Sequence, residues 1–245
     1  MFLHGYPLDH RMWDPVAPRL DLGRPPLLLD LPGYGAAEDT PAPSSLGGFA
    51  EFVRVRLDAL ATGPAVFVGH SFGGYVALEL FRTDPQRFAG LVLTNTRSEP
   101  DSAEARAKRL ELIGRLGQPG ERLDVEATVR ALVAPERWSE QGPVVQLVRE
   151  IVSSATSFSL VATLRAIADR PDLTPVLGTI RVPSLVVWGE EDQLIPPAQT
   201  RGMVERIPGA EGAGIPGAGH LPSLEDPERF AEALGRLRPR LTTSH

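Results

Sequence analysis

Short apolar runs alternate with longer amphipathic stretches along this chain. The runs that predict buried strands cover residues 27–29, 65–68, 91–94 and 185–188. Between the first two runs, apolar residues recur every three or four positions from Leu46 to Leu60, after two serines that can cap a helix, Ser44 and Ser45. Because strands that alternate with helices are typical of a parallel sheet covered by crossover helices, the pattern predicts an α/β fold.

The pattern changes between residues 101 and 168, where no strand-like run occurs. Amphipathic helices are predicted there near residues 103–116, 125–133, 144–153 and 158–168. The strand and helix alternation then resumes, with helices over residues 197–206 and 227–237. We therefore expect an α/β core formed by residues 1–97 and 172–245, with residues 98–171 inserted as a helical lid.

Composition narrows the classes of function. The chain has 245 residues and is 42% hydrophobic, which is enough for one large core. Its net charge of -6, from 31 acidic and 25 basic residues, argues against nucleic acid or an anionic membrane as partner, and a small neutral or mildly polar ligand fits better. With no cysteine, disulfides, thiol nucleophiles and thiolate metal sites are excluded. No apolar run approaches the roughly 20 residues of a membrane span, and no signal peptide pattern is present, so we expect a cytoplasmic protein.

The most informative motif is G-x-S-x-G, formed by Gly69, Ser71 and Gly73. It follows an apolar strand and precedes the helical pattern of residues 75–80. A strand, turn and helix in this order predict a nucleophile elbow, in which the turn is too tight for a Cβ at either glycine. Ser71 would then project at a helix N-terminus, where free N–H groups favour developing negative charge. The alternative is an ordinary Gly/Ser turn.

A serine nucleophile needs an imidazole base, and that base needs a carboxylate partner. His220 lies in a Gly/Pro-rich loop just before the last predicted helix and is the best candidate for the base. The other histidines are His4, His10, His70 and His245. The carboxylates just past the strand at residues 185–188 are Glu190, Glu191 and Asp192. Spacing alone leaves the choice among these three open.

Together these motifs resemble the α/β-hydrolase superfamily, especially its esterase, enol-lactonase and cofactor-free haloperoxidase-like branch. The matching stretches are residues 3–7 (LHGYP), residues 30–35 (DLPGYG), the elbow, the G-x-x-D segment that ends at Asp192, and Gly219 with His220. The family order is Ser, then Asp, then His. The resemblance implies that Ser71, Asp192 and His220 form a catalytic triad.

The resemblance also implies where the oxyanion and the substrate bind. The oxyanion hole would use the backbone N–H groups of Phe72, which follows the nucleophile, and of Tyr6, in the loop after the family's third strand. His70 and Trp138 are candidates for the substrate pocket, although aromatic residues on an apolar face are more often core. His4 is expected to be structural.

No cofactor and no metal are expected. The G-x-G-x-x-G spelling of residues 212–217 has no apolar strand before it, and Pro216 interrupts it where a dinucleotide-binding fold opens its helix. The histidines and acidic residues do not reach the spacing of a metal site. Serine at the elbow also argues against haloalkane dehalogenases and epoxide hydrolases, which need a carboxylate there.

Two segments depart from the family pattern. Members normally carry two antiparallel strands before the His4 loop, whereas only residues 1–3 precede it here. The strand at residues 27–29 would then have an uncovered edge, which predicts either a homodimer through that edge or a further N-terminal segment. In addition, Gly212 and Gly214 lie in residues 211–215, where the family has its β-branched final strand, so we expect a weak strand and a mobile His220 loop.

The resulting hypothesis is a serine hydrolase that cleaves a small carboxylic ester or lactone through an acyl-enzyme intermediate. Two alternatives remain: a C–C bond hydrolase or perhydrolase that uses the same triad, and a small-molecule-binding signalling protein on this fold. The expected partner is a small-molecule ester or lactone, with no nucleic acid and no membrane, and the protein is expected to be a monomer or a homodimer.

Overall fold

The computed structural model describes residues 1–20, 25–60 and 63–237. These residues form a six-stranded sheet in the order β2-β1-β3-β4-β5-β6, and all paired strands are parallel. The strands are β1 (Phe2–Leu3), β2 (Leu28–Leu29), β3 (Ala65–His70), β4 (Phe88–Thr94), β5 (Ser184–Gly189) and β6 (Glu211–Ile215). The four runs predicted as strands are confirmed, each within a few residues of its predicted bounds.

Helices connect the strands in the order that the apolar pattern predicts. They are α1 (Leu46–Ala59), α2 (Phe72–Thr83), α3 (Ala103–Leu116), α4 (Val125–Leu132), α5 (Pro135–Glu140), α6 (Pro143–Ser154), α7 (Ser157–Ala168), α8 (Thr174–Leu177), α9 (Pro197–Arg206), α10 (Pro222–Glu225) and α11 (Pro227–Gly235). Ser45 caps α1, because its side chain accepts a hydrogen bond from the Gly48 N–H. The short helices α5, α8 and α10 were not predicted.

Apolar side chains cover both faces of the sheet, because successive residues of a strand point to opposite sides. Phe67 belongs to a buried cluster with Phe49 and other residues of α1 and α2. Its neighbour Val68 belongs to a second buried cluster, which contains Trp13 and Phe230. Full burial of one such side chain contributes roughly 1.5–3 kcal/mol, so the two clusters fix the strands between two helical layers.

Strand β6 forms in spite of its glycines. Residues 211–215 all pair with β5, because the backbone groups that make these bonds are present in glycine as well. Small residues are also needed there: a Cβ at Gly214 would lie 2.0 Å from the Glu190 carboxylate, and one at Gly212 would lie 3.1 Å from the Trp188 ring. Every residue of β6 is therefore paired with β5, and the two glycines leave room for the side chains of Trp188 and Glu190.

Helices α3 to α7 fall within residues 98–171, the segment predicted as an insertion, and this segment contains no strand. Its two ends are joined: Arg170 donates to Asp101 at 3.0 Å, and the Leu173 N–H donates to the Ser98 carbonyl at 2.9 Å. Asp101 also accepts from Arg97 and Arg109. The division into a core and a lid remains a prediction.

In the sheet as described, β2 has β1 as its neighbour and lies at the edge. Leu27, just before β2, is 38% exposed. The homodimer and the further N-terminal segment proposed for this edge stay predictions. Within the described ranges, no single helix is long and apolar enough to span a membrane. Helices α6 and α7 together have the required length and composition, but the chain bends by 95° between them.

Candidate active site

Ser71 occupies the sharp turn between β3 and α2. Its φ of 49° and ψ of -112° place a residue with a Cβ in the left-handed half of backbone space, which is a strained conformation for serine. The turn is held by its own backbone, since the Ser71 N–H donates to the Thr94 carbonyl at 2.9 Å and its carbonyl accepts from Thr96 Oγ1 at 2.8 Å. The predicted elbow is therefore present in the structure.

The glycines of the motif have the predicted steric role. A Cβ at Gly69 would lie 2.6 Å from the Gly73 carbonyl oxygen, and one at Gly73 would lie 2.3 Å from the Leu3 carbonyl oxygen. Both contacts are with backbone atoms, which cannot move aside as a flexible side chain can. The elbow thus packs directly against β1 and the loop that follows it.

That loop places Tyr6 beside Ser71. A Cβ built on Gly5 would lie 3.1 Å from the Ser71 Cβ, so residues 5 and 71 are in close contact. In the described part of the chain, neither the Tyr6 N–H nor the Phe72 N–H donates a hydrogen bond, and Phe72 is the first residue of α2, where an N–H has no intrahelical acceptor. The two N–H groups predicted for an oxyanion hole are thus free to bind an anion.

His220 and Asp192 meet at the carboxyl end of the sheet. His220 Nδ1 donates to Asp192 Oδ2 at 2.8 Å, and both side chains are buried. Because a carboxylate can only accept, this bond puts the ring proton on Nδ1 and leaves the lone pair on Nε2. That tautomer is the one a general base requires.

The three carboxylates that the sequence left open are separated by their contacts. Glu190 accepts from Trp188 Nε1 at 2.9 Å, and Glu191 is exposed. Only Asp192 of the three reaches His220. The turn after β5 therefore aims one of its three acidic side chains at the imidazole, in agreement with the family pattern.

Four donors surround the Asp192 carboxylate. Oδ2 accepts from His220 Nδ1 and, at 2.7 Å, from Asn95 Nδ2, while Oδ1 accepts from the N–H groups of Leu194 and Ile195. Burial acts to raise the pKa of Asp192, but the imidazole together with the amide and N–H donors outweighs burial, and the pKa lies below its ordinary value. Asp192 is therefore held as a carboxylate. Sequence reasoning missed Asn95, although a polar residue directly after a buried strand was a signal.

A second carboxylate holds the backbone around His220. Glu225 Oε1 accepts from the N–H groups of Gly219 and Leu221, at 2.9 and 3.1 Å, and its Oε2 accepts from the Ala134 N–H at 2.8 Å. Burial raises the pKa of Glu225 above its ordinary value, against the opposing effect of these N–H donors. Sequence reasoning missed this residue too, since its partners are backbone groups, two of them next to His220 and one in the insertion.

The insertion packs against the same loop. The His220 N–H donates to the Leu132 carbonyl at 3.0 Å, and a Cβ on Gly219 would lie 2.4 Å from the Ala134 backbone nitrogen. These contacts fix the loop between the core and the junction of α4 with α5. These contacts support the loop, and the mobility expected from the glycines of β6 stays a prediction.

The other histidines near the elbow are buried. His70 donates from Nε2 to the His220 carbonyl at 2.7 Å, and its ring lies 4.8 Å from the His220 ring. Burial lowers the pKa of His70 to about 3, so it is neutral over the physiological range. His4 donates to the Gly5 carbonyl and accepts from the Leu31 N–H, which is the structural role expected of it. Trp138 is half-buried against the core; its contact with a substrate, like that of His70, stays a prediction.

Ser71 and His220 are brought near each other through His70, without a hydrogen bond between them. His70 follows Gly69 in β3, precedes Ser71, and packs on the His220 ring, so the two residues lie on adjoining segments. Neither Ser71 Oγ nor His220 Nε2 forms a hydrogen bond with a residue in the described ranges. Both atoms are therefore without a hydrogen-bond partner among the described residues, and a bond between a serine and an imidazole in an active site often forms only when substrate is bound.

A cavity of about 280 Å³ lies away from these residues, between the loops at residues 8–11 and 33–38 and the junction of α6 with α7. Asp9, His10 and Asp30 come together at its edge. One carboxylate oxygen or imidazole nitrogen of each residue, the atoms that could bind a metal ion, lies within 4.8 Å of the others. Spacing in the sequence did not predict this cluster. Arg11 donates to both Asp9 oxygens, and His10 and the Ala36 N–H donate to those of Asp30, so each carboxylate oxygen already accepts a hydrogen bond from the protein. We interpret the cluster as a hydrogen-bond network that joins the loops at residues 8–11 and 33–38.

Comparison with known proteins agrees with this geometry. A model of the alpha/beta hydrolase family matches residues 1–233. A pimeloyl-[acyl-carrier protein] methyl ester esterase of Xanthomonas campestris pv. campestris is 30% identical over 242 residues, which cover 97% of this chain and 93% of that protein. The structure of a thermophilic esterase from Thermogutta terrifontis, with malate bound, superposes with a TM-score of 0.92 at 32% identity and covers 99% of this chain and 89% of that one.

An enol-lactonase from Burkholderia xenovorans LB400 has the same fold, with a TM-score of 0.87 at 23% identity over 97% of this chain and 90% of that one. The match to the family model spans the elbow, the turn after β5 and the His220 loop alike. This chain belongs to the alpha/beta hydrolase family.

Proposed function

We propose that the protein is a serine esterase that cleaves a small carboxylic ester or lactone, with Ser71, Asp192 and His220 as its triad. The observation that carries the proposal is the pairing of a strained serine at a helix N-terminus with a buried His220–Asp192 hydrogen bond of 2.8 Å on the adjoining segment. A serine with an ordinary structural role needs neither the strain nor the oriented imidazole.

In the proposed reaction, His220 Nε2 removes the proton from Ser71 Oγ as the oxygen attacks the carbonyl carbon of the substrate. Asp192 keeps the proton on Nδ1 and stabilises the imidazolium that forms. The free N–H groups of Tyr6 and Phe72 bind the oxyanion of the tetrahedral intermediate. His220 then returns the proton to the leaving alcohol, and water, activated in the same way, hydrolyses the acyl-enzyme.

Residues 98–171 are proposed as a lid over this site. The insertion touches both catalytic loops: Tyr6 packs against apolar residues of α3 and α7, including Ile113 and Leu160, and His220 is bonded to Leu132. A cover of this kind excludes water from the oxyanion and shapes the acyl pocket. The size of the preferred acyl group is therefore set by the insertion, whereas the chemistry is set by the core.

The names of the relatives support ester substrates. The Xanthomonas relative acts on a methyl ester by its name, and the Thermogutta protein is an esterase. Methyl esters with acyl chains of graded length therefore belong in the first substrate set. To separate ester hydrolysis from C–C cleavage or perhydrolysis, the set must also include a C–C bonded diketone and an assay with peroxide.

The test is turnover of p-nitrophenyl esters from acetyl to octanoyl, and of the matching methyl esters, by wild type, Ser71→Ala and a control. The control is Ser184→Ala, which removes a buried hydroxyl whose partner is the Val182 carbonyl in the strand-entry loop of β5. We expect Ser71→Ala to lose roughly 10⁴-fold or more in kcat, and Ser184→Ala to keep its activity. Mass spectrometry should place a fluorophosphonate adduct on Ser71.

A folded wild type that turns over no ester and takes no fluorophosphonate would overturn the proposal. Activity only on a C–C bonded diketone, or only with peroxide present, would keep the triad and replace the reaction. Labelling of wild type at another residue would remove Ser71 from the mechanism.

A further inference from the structure

Asn95 lies at the carboxyl end of β4, directly after Thr94, and is fully buried. Its φ of 44° is left-handed, and its N–H donates to the Val187 carbonyl of β5 at 3.0 Å. Among residues with a Cβ, asparagine and aspartate tolerate this conformation best. The turn after β4 thus directs a buried polar side chain between the strands that carry the nucleophile and the acid.

The contacts of the amide define its orientation. Asn95 Nδ2 donates to Asp192 Oδ2 at 2.7 Å and to the Gly219 carbonyl at 3.2 Å, and Asn95 Oδ1 accepts from Thr94 Oγ1 at 3.2 Å. A carboxylate and a carbonyl can only accept, so the nitrogen must face them. One side chain therefore joins the acid to the residue that precedes His220.

The bond to Asp192 is made to the reacting side of the carboxylate. Oδ2 is the oxygen that also accepts from His220 Nδ1, whereas Oδ1 is held by the N–H groups of Leu194 and Ile195. Without the Asn95 amide, the carboxylate keeps its two backbone donors on Oδ1 but loses the side-chain donor that fixes Oδ2. The Gly219 carbonyl also loses a partner. Rotation of the carboxylate and shift of the His220 loop then become less costly.

We propose that Asn95 is a positioning residue for the triad, which fixes Asp192 Oδ2 and the Gly219–His220 backbone in a single geometry. The inference rests on the proposed serine esterase function and adds a residue to its machinery. Asn95 does not touch the substrate in this role; it acts through Asp192 and His220. A purely structural asparagine would instead stabilise the β4 turn without any effect on the titration or the geometry of the imidazole.

The test uses two substitutions and a matched control. Asn95→Gly removes the amide and keeps the left-handed backbone, which alanine would strain. Asn95→Asp keeps the shape and replaces the donor by an acceptor. The control is Thr200→Val, which removes another buried hydrogen bond of the same region, from Thr200 Oγ1 to the Thr96 carbonyl at 2.9 Å; the Thr200 side chain forms no hydrogen bond with Asp192 or His220.

For Asn95→Gly we expect kcat to fall about 10- to 100-fold, the loss typical of one hydrogen bond to a charged group, with KM changed less than about twofold. For Asn95→Asp we expect the rising limb of the pH–kcat/KM profile to move to higher pH, because two carboxyl groups in contact share a proton, and Asp192 becomes a full carboxylate only when that proton is lost. Part of the activity lost at pH 7 should then return near pH 9. His70 does not produce this limb, since its pKa is about 3.

A readout independent of turnover separates this inference from the proposed function. The His220 Nδ1 proton should give a low-field NMR signal in wild type and Thr200→Val, and the signal should shift or disappear in Asn95→Gly. Wild-type kcat, pH profile and Nδ1 signal in a folded Asn95→Gly would overturn the role of Asn95. If wild type hydrolyses no ester, the esterase proposal fails, and the NMR comparison still decides whether Asn95 positions His220.

Discussion

Two buried carboxylates hold the His220 loop, and they do so through different partners. Asp192 contacts the imidazole itself, with Asn95 as a second side-chain donor. Glu225 contacts the backbone N–H groups of the residues before and after His220, and that of Ala134 in the insertion. One carboxylate therefore acts on the chemistry of the ring, and the other acts on the path of the chain that carries it.

Their pKa values move in opposite directions although both groups are buried. Burial favours the neutral form of each carboxyl, but only Asp192 has an imidazole that can carry a positive charge beside it, so its pKa falls while the pKa of Glu225 rises. The partners of each buried carboxyl therefore set the direction in which its pKa moves, even though burial acts in the same sense on both.

The largest effect is expected at Asp192. Asp192→Asn should lower kcat by about 10⁴-fold while the protein stays folded, because the amide no longer enforces the tautomer with the proton on Nδ1. Steady-state kinetics and circular dichroism measure the two properties. Glu191→Gln, which changes an exposed neighbour in the same turn, is the control. Equal losses in both variants would contradict the assignment of Asp192 as the acid.

At Glu225 the main loss should be in stability. Glu225→Gln turns one acceptor into a donor that faces an N–H, so at least one buried N–H loses its partner, and the free energy of unfolding should fall by about 1–3 kcal/mol. Urea denaturation measures it, with the exposed Glu232→Gln as control. The folded variant should keep far more activity than Asp192→Asn. A loss of activity as large as that of Asp192→Asn would erase the distinction between the two carboxylates.

The smallest effect concerns pH and stability. Since the pKa of Glu225 is raised on folding, its contribution to stability is full below the unfolded pKa of about 4.3 and is lost as pH rises through the folded value. For Asp192, whose pKa is lowered, the contribution is present above about 3.9 and is lost as pH falls through the folded value. Each unit of pKa difference corresponds to about 1.4 kcal/mol.

Denaturation from pH 7 to about pH 2 should therefore show two opposite trends. The stability of wild type relative to Glu225→Gln should increase as pH falls, and its stability relative to Asp192→Asn should decrease toward the acid end. Parallel trends for the two variants would mean that the two carboxyls share one environment, contrary to their contacts.

Much of the fold was predictable because it is encoded locally. The apolar period of three and four residues from Leu46 placed α1 within one residue of its observed C-terminal end, and the insertion helices agree equally well. Helices α5 and α8 escaped prediction because six and four residues are too few to establish a period. The elbow was predictable for a steric reason, since Gly69 and Gly73 are required by backbone contacts within a few ångströms.

The site divides in the same way. The G-x-S-x-G motif predicted Ser71, the Gly/Pro-rich loop before the last helix predicted His220, and the G-x-x-D pattern of the family indicated Asp192. Asn95 and Glu225 belong to no such pattern, because their partners are far along the chain: Asn95 meets Asp192 across 97 positions, and Glu225 meets Ala134 across 91. Contacts between residues so far apart in sequence depend on the order of the strands in the sheet and on how the insertion packs against the core.

The sequence by itself determined the α/β alternation, the strained serine turn and the order of the residues proposed as the triad, because apolar periodicity and glycine sterics act over a few residues. The tertiary structure alone decided which further donors bind the Asp192 carboxylate and how the insertion contacts the His220 loop. Those outcomes depend on the parallel register of β4, β5 and β6, which sets polar side chains from distant segments within hydrogen-bonding distance inside a buried volume.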